Sequence, residues 1–309
     1  TTLFRSQDTH AMTTRVCLAV CRGGWSTRRQ FTMSRWYSAR MSVVPVDDVE
    51  DGRLTDYRTV SDPLLLRERG VFVAESRLVV RELLAHPRFE TRSLLVTEAA
   101  LESLGDLLEA RDDDLPIYVG ARQFLHRIAG FDVHRGCLAL GLRPARLADV
   151  SLPQLSAARR VVVLEDVGNP DNIGGIFRNA LALGAECVLL SPRCCDPLYR
   201  KAIRVSIGAT LRLVFAYIDD WPEGLERLRA AGLTLVALTP EATATDIAEL
   251  ASRQPQRVAL LLGTEGPGLS GAAKARADVR VRIPLAPGTD SLNVATAAGI
   301  ALHRLADAI

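Results

Sequence analysis

The sequence predicts an α/β protein built from two units: a small α/β domain followed by a parallel-sheet domain in the C-terminal half. Three observations predict it. Short apolar runs alternate with helical periods from about residue 60 onward. In the second half the runs 161-VVVLE-165, 187-CVLLS-191, 233-LTLVALT-239 and 258-VALLLG-263 are apolar almost throughout. That pattern marks strands of a parallel sheet covered on both faces. Finally, apolar runs in this half lead into loops rich in Gly, Asn and Ser, the segments that bear ligand sites in open α/β sheets.

In the first unit, 71–74 reads as a strand and 76-SRLVVRELLAH-86 as an amphipathic helix with apolar residues at 79, 80, 83 and 84. A strand over 93–97 and a helix over 99–110 follow, then a strand at 116–119, a helix over 121–130 and a strand at 137–142. Residues 49–145 are expected to form this domain. The stretch 146–158 holds Pro153 and no firm period, so it reads as a linker. The second domain, 159–309, is expected to run as strand 161–165, a helix through Leu183, strand 187–191, a helix over 197–209 and strand 213–217. After these come a helix over 222–232, strands 233–239, 258–263 and 279–285, and a last helix over 292–308.

Composition narrows the function classes. The chain has 309 residues and a formal net charge of +2. Residues 1–46 carry seven Arg against one acid, which leaves 31 bases against 35 acids in the remainder. Whole-chain charge therefore gives no support for nucleic-acid binding, and any basic patch must be local. Residues 1–48 read as a disordered Arg-rich tail, with a mitochondrial transit peptide as the alternative and Met33 or Met41 able to begin the folded protein. No apolar run approaches the ~18–20 residues that span a bilayer, so a soluble, cytoplasmic protein with no membrane partner is expected. The six cysteines form no CxxC pair and no zinc pattern. Free, buried or half-buried thiols in a reducing cytosol are expected, and no metal.

Three loops carry the chemistry: Asn169 to Gly175, 263-GTEGPGLS-270 and 284-PLAPGTDSLN-293. Each follows an apolar strand, so all three are placed at one sheet edge, where they can build one pocket. Glycine allows close backbone approach to a ligand, and Asn and Ser offer short polar arms. Ordinary turn duty is the plain alternative for any one of them. A nicotinamide site fails on spacing, since 174-GGIFRNA-180 is not GxGxxG, and no GxxxxGK[ST] phosphate loop is present.

In order and spacing these loops resemble the motifs of the SpoU branch of the SPOUT superfamily, the TrmH-like RNA 2′-O-ribose methyltransferases. The first motif is matched by Asn169, Asn172, Gly174 and Arg178, the second by Gly263, Glu265 and Gly266, and the third by Ile283-Pro284-Leu285 with Ser291-Leu292-Asn293-Val294. The chain departs from the family at Ala295, where a serine is common, and at Ser76, where a glycine is common. Upstream, 67-RERGVFVAESRLVVRELL-84 looks like the L30e-like RNA-binding domain that many members carry.

The resemblance implies a deep trefoil knot in the C-terminal domain, a homodimer with the active site near the subunit interface, and S-adenosyl-L-methionine as cofactor. By position its contacts map to Thr239, Gly263, Ile283 and Leu292. The substrate implied is the ribose 2′-OH of a structured RNA, ribosomal RNA favoured and transfer RNA the alternative. A non-catalytic RNA-binding protein of the same fold is a further alternative. Arg178 is expected to clamp the adjacent phosphate and lend positive field to the hydroxyl. The family often assigns this arginine as general base, but guanidinium is practically never deprotonated in proteins. A helix-surface ion pair with Glu165 or Asp166 is its plain alternative. Asn172 and Asn293 are expected to orient ribose, Arg178 or cofactor, or else to serve as turn and cap residues. Ser291 would touch ribose or phosphate, or cap the last helix. Glu265 would anchor Arg178 or accept from loop backbone. For RNA contact the densest basic group is Arg193, Arg200, Lys201 and Arg204, with Arg67, Arg77 and Arg135 as weaker candidates in the first domain.

Overall fold

The computed structural model describes residues 42–58, 62–111, 113–130, 133–144, 152–253 and 255–305. The first domain begins with β1 (Ser42–Pro45), a 3₁₀ turn and α1 (Asp62–Arg69). It continues through β2 (Val71–Glu75), α2 (Arg77–Ala85), β3 (Thr91–Val96), α3 (Glu98–Ser103), α4 (Gly105–Glu109), β4 (Pro116–Val119), α5 (Arg122–Ala129) and β5 (Cys137–Leu142). Its sheet has the order β1-β4-β3-β5-β2. β1, β4 and β3 run parallel, and β5 is antiparallel to both of its neighbours. Ser76 closes β2 and caps α2, its hydroxyl accepting from the Val79 N–H.

The first domain departs from the sequence reading at its start and in one helix. Residues 42–48 belong to the first domain rather than to a tail: Ser42 pairs with Pro116, and Val43 and Val46 are buried. The run is short and contains Pro45, which an edge strand tolerates because it needs no inward N–H there. The rest of the expected tail, 1–41, lies outside the described residues. The expected helix over 99–110 is two helices, α3 and α4, separated at Leu104.

The second domain opens with α6 (Leu152–Ala157), inside the segment read as linker. A proline in the first turn does not break a helix, since its missing N–H has no intrahelical partner there. Leu155 and Ala158 are buried against the sheet layer beneath. Next come β6 (Arg160–Leu164), α7 (Pro170–Ala182), β7 (Cys187–Leu190), α8 (Arg200–Val205), α9 (Ala209–Arg212), β8 (Val214–Tyr217) and α10 (Leu225–Ala230). The chain then forms β9 (Thr234–Leu238), β10 (Thr245–Asp246), α11 (Ile247–Ser252), β11 (Val258–Leu262), α12 (Gly271–Arg276), β12 (Val279–Arg282) and α13 (Val294–Leu305). The strands form a seven-stranded sheet, β10-β12-β9-β11-β6-β7-β8. Every pairing in it is parallel. The two-sided burial expected from the apolar runs is present: β7 and β11 are buried at every residue. The helix expected over 197–209 breaks into α8 and α9, because Ile207 and Gly208 both take positive φ. The strand expected over 279–285 ends at Arg282 and frees Ile283 to Leu285 for the loop beyond. Past β11 the chain steps over β9 to build β12, and α13 then packs back on α7.

Glycines 174 and 175 serve this helix packing rather than a ligand. A Cβ on Gly174 would sit 2.7 Å from the Ala202 carbonyl oxygen, and one on Gly175 would sit 2.8 Å from the Ala295 Cβ. The small residue at 295 is thus matched to close contact between α7 and α13. Asn179 fastens the same contact by donating to the Ala295 carbonyl (2.7 Å).

One apolar cluster runs through both domains, and charged side chains fasten the seam. Arg200 Nη1 donates to the fully buried Glu75 carboxylate at 2.9 Å, with Arg204 4.0 Å from the same oxygen. Arg143 pairs with Asp196 (2.5 Å). Arg88 donates to the Leu213 carbonyl (2.6 Å) and lies over the Phe215 ring. Burial pushes its guanidinium down to about 10.

Candidate functional site

Asn169 opens α7, its side chain accepting from the Asp171 N–H (2.9 Å), and Pro170 takes the first helical position. This places Asn172 one turn in, on the buried side. Its Nδ2 donates to Glu265 Oε1 (2.8 Å), while its Oδ1 accepts from Asn293 Nδ2 (2.8 Å). Asn293 Nδ2 also lies 3.1 Å from Glu265 Oε1. One residue from each of the three sequence loops thus meets in a single hydrogen-bonded triad. Asn293 does a second job: its Oδ1 accepts from the N–H groups of Ala295 and Thr296 and so caps α13. That is the duty considered above for Ser291.

Beside the triad is a cavity of about 340 Å³. Leu238, Thr239 and Pro240 form one wall, and Leu262 through Gly266 with Gly268 form the next. Ile283, Leu285, Ser291, Leu292, Asn293, Val294 and Ala297 close it. All four expected cofactor residues, Thr239, Gly263, Ile283 and Leu292, line this cavity, as do Glu265, Ser291 and Asn293. Leu292 is an apolar side chain left exposed. The 263–268 loop is a tight turn. A Cβ on Gly263 would fall 2.1 Å from the Gly268 carbonyl carbon, and the Gly268 N–H returns to the Thr264 carbonyl (3.0 Å). Gly266 and Gly268 hold positive φ, which an L side chain resists.

Sequence reasoning missed Glu165. It is buried, and its carboxylate accepts from Trp221 Nε1 and from the Ser270 N–H, both at 2.7 Å. It therefore pins the far end of the Gly263–Leu269 loop, where the Ser270 hydroxyl caps α12. The signal was an acid closing the apolar run VVVLE, since a buried carboxylate has to find donors.

Arg178 stands apart. It is exposed, does not line the cavity, and makes no hydrogen bond or ion pair with any described residue. Six residues along a helix turn it well away from the face that carries Asn172. Neither the Glu265 anchor nor the ion pair with Glu165 or Asp166 forms. Asp166 instead takes Arg193 and the Ser191 hydroxyl, and the Arg193 guanidinium holds its carboxyl below the usual range.

The expected basic group is dispersed in the same way. Arg200 and Arg204, expected as RNA contacts, face Glu75 across the domain seam. Periodicity could not reveal this, because their partner lies in the other domain. Arg193 is paired with Asp166, and Lys201 with Asp171 (2.7 Å). Arg67 lines a cleft at the seam beside Tyr199, and Arg77 and Arg135 line a separate cavity in the first domain. Cys137, Cys187, Cys194 and Cys195 are free and buried, as expected, while Cys17 and Cys21 lie outside the described residues. Among the described residues no helix is long and apolar enough to cross a membrane.

This cavity, at loops following parallel strands and with three motifs joined beside it, defines a class of α/β enzymes that carry their ligand site at the strand ends. Residues 159–303 match the SpoU rRNA methylase family. The chain is 41% identical over 269 residues to an uncharacterized tRNA/rRNA methyltransferase of Mycobacterium tuberculosis, covering 85% of this chain and 91% of that one. It superposes on an AdoMet-bound rRNA methyltransferase from Sinorhizobium meliloti with a TM-score of 0.73 at 25% identity, over 85% of this chain and 97% of that one. On a structure described as an RNA 2′-O ribose methyltransferase the TM-score is 0.68 at 28% identity, over 85% and 98%. The chain belongs to the SpoU rRNA methylase family.

Proposed function

We propose that this protein transfers a methyl group from S-adenosyl-L-methionine to a ribose 2′-OH of structured RNA, with ribosomal RNA the favoured substrate. The triad of Asn172, Glu265 and Asn293 carries the reading. It gathers all three motifs at the rim of one cavity.

The cavity suits the cofactor. Its volume falls in the range of small-molecule sites, its walls are leucine-rich, and its loops expose backbone rather than long side chains. Thr239, Gly263, Ile283 and Leu292 would hold the cofactor, which supplies the electrophilic methyl group. The protein's share is alignment and field. With Glu265 locked to two amides, Asn172 and Asn293 are fixed before substrate arrives, so little reorganisation is needed at the reaction. Ser291, at the cavity and free of cap duty, is available to ribose or phosphate. A free guanidinium forks onto a phosphate and favours an alkoxide beside it. Arg178 is therefore the phosphate clamp, presented from the outer face of α7. Within one chain it does not reach the cavity, which favours a homodimer whose interface lies beside the site. The first domain, in this reading, supplies L30e-like RNA binding, and the order of β11, β9 and β12 is compatible with a trefoil knot. Free thiols and the RNA substrate together suit the cytoplasm.

The test is transfer of labelled methyl from S-adenosyl-L-methionine to unmodified ribosomal and transfer RNA. Label is expected in ribosomal RNA, in dinucleotides that resist alkaline cleavage because the 2′-OH is blocked. Arg178→Ala should abolish transfer and leave cofactor affinity, read by calorimetry, nearly unchanged. Label confined to transfer RNA would replace the substrate assignment. Binding of NAD without S-adenosyl-L-methionine would overturn the reading.

A further inference from the structure

A second cavity lies away from the proposed cofactor site. It holds about 640 Å³ and lies wholly within the first domain, where the loops after β3 and β4 face the start of α2 and the turn before β5. Arg77, Arg122 and Arg135 all line it, together with Glu98. None of the residues that line it lines the cofactor cavity.

Two of its polar atoms take no part in the hydrogen bonding of the fold, while Arg122 donates to His126. Arg77 Nε and Glu98 Oε1 are buried and have no hydrogen-bond partner, a costly state that would be relieved if the side chain turned toward the cavity and met a ligand there. Neither Arg77 nor Arg135 forms an ion pair with any described residue. Arg135 is held at φ 58°, a conformation that non-glycine residues seldom take. Gly136 beside it also holds positive φ, and a Cβ there would meet the Thr97 methyl at 2.6 Å. No side chain caps α5, so its first backbone N–H groups remain open next to Arg122.

Three guanidinium groups around one carboxylate acceptor match a nucleotide: phosphate for the arginines, and a base edge with N–H donors for the carboxylate. We propose that this cavity takes one unstacked nucleotide of the substrate RNA, with a guanine base read by Glu98. Guanine suits it because adjacent N1–H and N2–H groups present two donors to one carboxylate, whereas uracil offers a single N–H. Extruded nucleotides are the usual targets of sequence-specific RNA reading, because their base edges are free. The inference rests on the RNA-methyltransferase reading for the identity of the polymer. It adds a reading site that is separate from the methyl-transfer site.

The experiment uses the full chain and fluorescently labelled single-stranded octamers that differ only in one central base, with binding followed by anisotropy at fixed salt. The guanine octamer should bind most tightly. Glu98→Gln, which turns an acceptor into a partial donor, should cut that preference roughly tenfold and leave the uracil octamer unaffected, the scale of one good bidentate base contact. Arg122→Ala with Arg135→Ala should weaken all four octamers alike and flatten the salt dependence, as loss of phosphate contacts does. Calorimetry with S-adenosyl-L-methionine on each variant reports whether the second domain is intact. Equal affinity for all bases with no effect of Glu98→Gln would overturn the proposal, as would arginine variants that bind like the parent. Free GMP binding as tightly as the octamer would overturn the RNA assignment. If the parent transfers methyl to ribosomal RNA and these variants are inert, the cavity proposal alone fails. If the parent transfers to no RNA, the underlying reading fails.

Discussion

The two domains each carry a cavity beside their parallel strands, and the cavities are built by opposite means. In the second domain the walls are leucines and bare loop backbone, and the polar groups at the rim are already bonded to one another. In the first, the walls carry three arginines, and buried polar atoms are left without partners. A pre-bonded rim suits a site that must hold reacting atoms in one geometry, because its groups do not rearrange when ligand arrives. An unsatisfied rim suits recognition, because the ligand supplies the missing bonds and a wrong ligand leaves them unmade.

The largest effect should come from unlocking the triad. Glu265→Ala removes the shared acceptor and leaves the buried Asn172 amide unpaired, which costs about 1–3 kcal/mol at a site that must stay aligned. Methyl transfer should fall on the order of a hundredfold, the scale seen for loss of one preorganising group. Glu265→Gln keeps an oxygen for Asn172 Nδ2 and should recover much of the rate. If Glu265→Ala transfers methyl like the parent, the contrast between a locked and an open rim is wrong.

A smaller effect is expected one step back from the cavity. Glu165 does not line the cavity, yet it holds Ser270 and Trp221 and so fixes the end of the loop that forms one wall of it. Glu165→Gln keeps an acceptor but gains an amide that has to find its own partner. It should weaken cofactor binding about tenfold, equivalent to ~1.4 kcal/mol, with little change in turnover at saturating cofactor. A fall in turnover at unchanged affinity would mean that the residue acts on chemistry rather than on loop placement.

How far the sequence reached depended on the kind of contact. The sheet was legible because two-sided burial writes itself into apolar runs, and the cavity was legible because its residues cluster in three spaced motifs. What escaped was whatever needed a partner across the fold. The pairing of Arg200 and Arg204 with Glu75 was hidden because Glu75 lies 125 and 129 positions away in sequence. Glu165 looked like the end of a strand. Gly174 and Gly175 looked like ligand-facing glycines, yet their need comes from α8 and α13 packing on α7. The strand 42–45 was lost in a tail because four residues with a proline carry too little period to separate an edge strand from coil.

The seam between the domains provides a third measure of the contrast. Arg200→Ala would remove the 2.9 Å ion pair to the fully buried Glu75. Removing one member of a buried pair is strongly destabilising. Arg200 is itself about one quarter exposed, so roughly 2 kcal/mol is expected, read as a drop in the midpoint of urea unfolding.

The matching change at the surface should do far less. Arg193 is 83% exposed and pairs with Asp166, whose carboxyl it holds below the ordinary carboxylate range. A depressed carboxyl pKa stabilises the fold above the unfolded value, near pH 4, and that contribution fades as pH falls through the folded value. Arg193→Ala should therefore leave urea unfolding at pH 7 close to the parent, since exposed pairs contribute little. It should move the acid-unfolding midpoint, followed by circular dichroism below pH 4, slightly upward. The same variant separates the two remaining roles for this side chain. RNA affinity that drops while stability holds would support the expected RNA contact of Arg193, whereas unchanged affinity would leave it as the partner of Asp166 just ahead of the first motif.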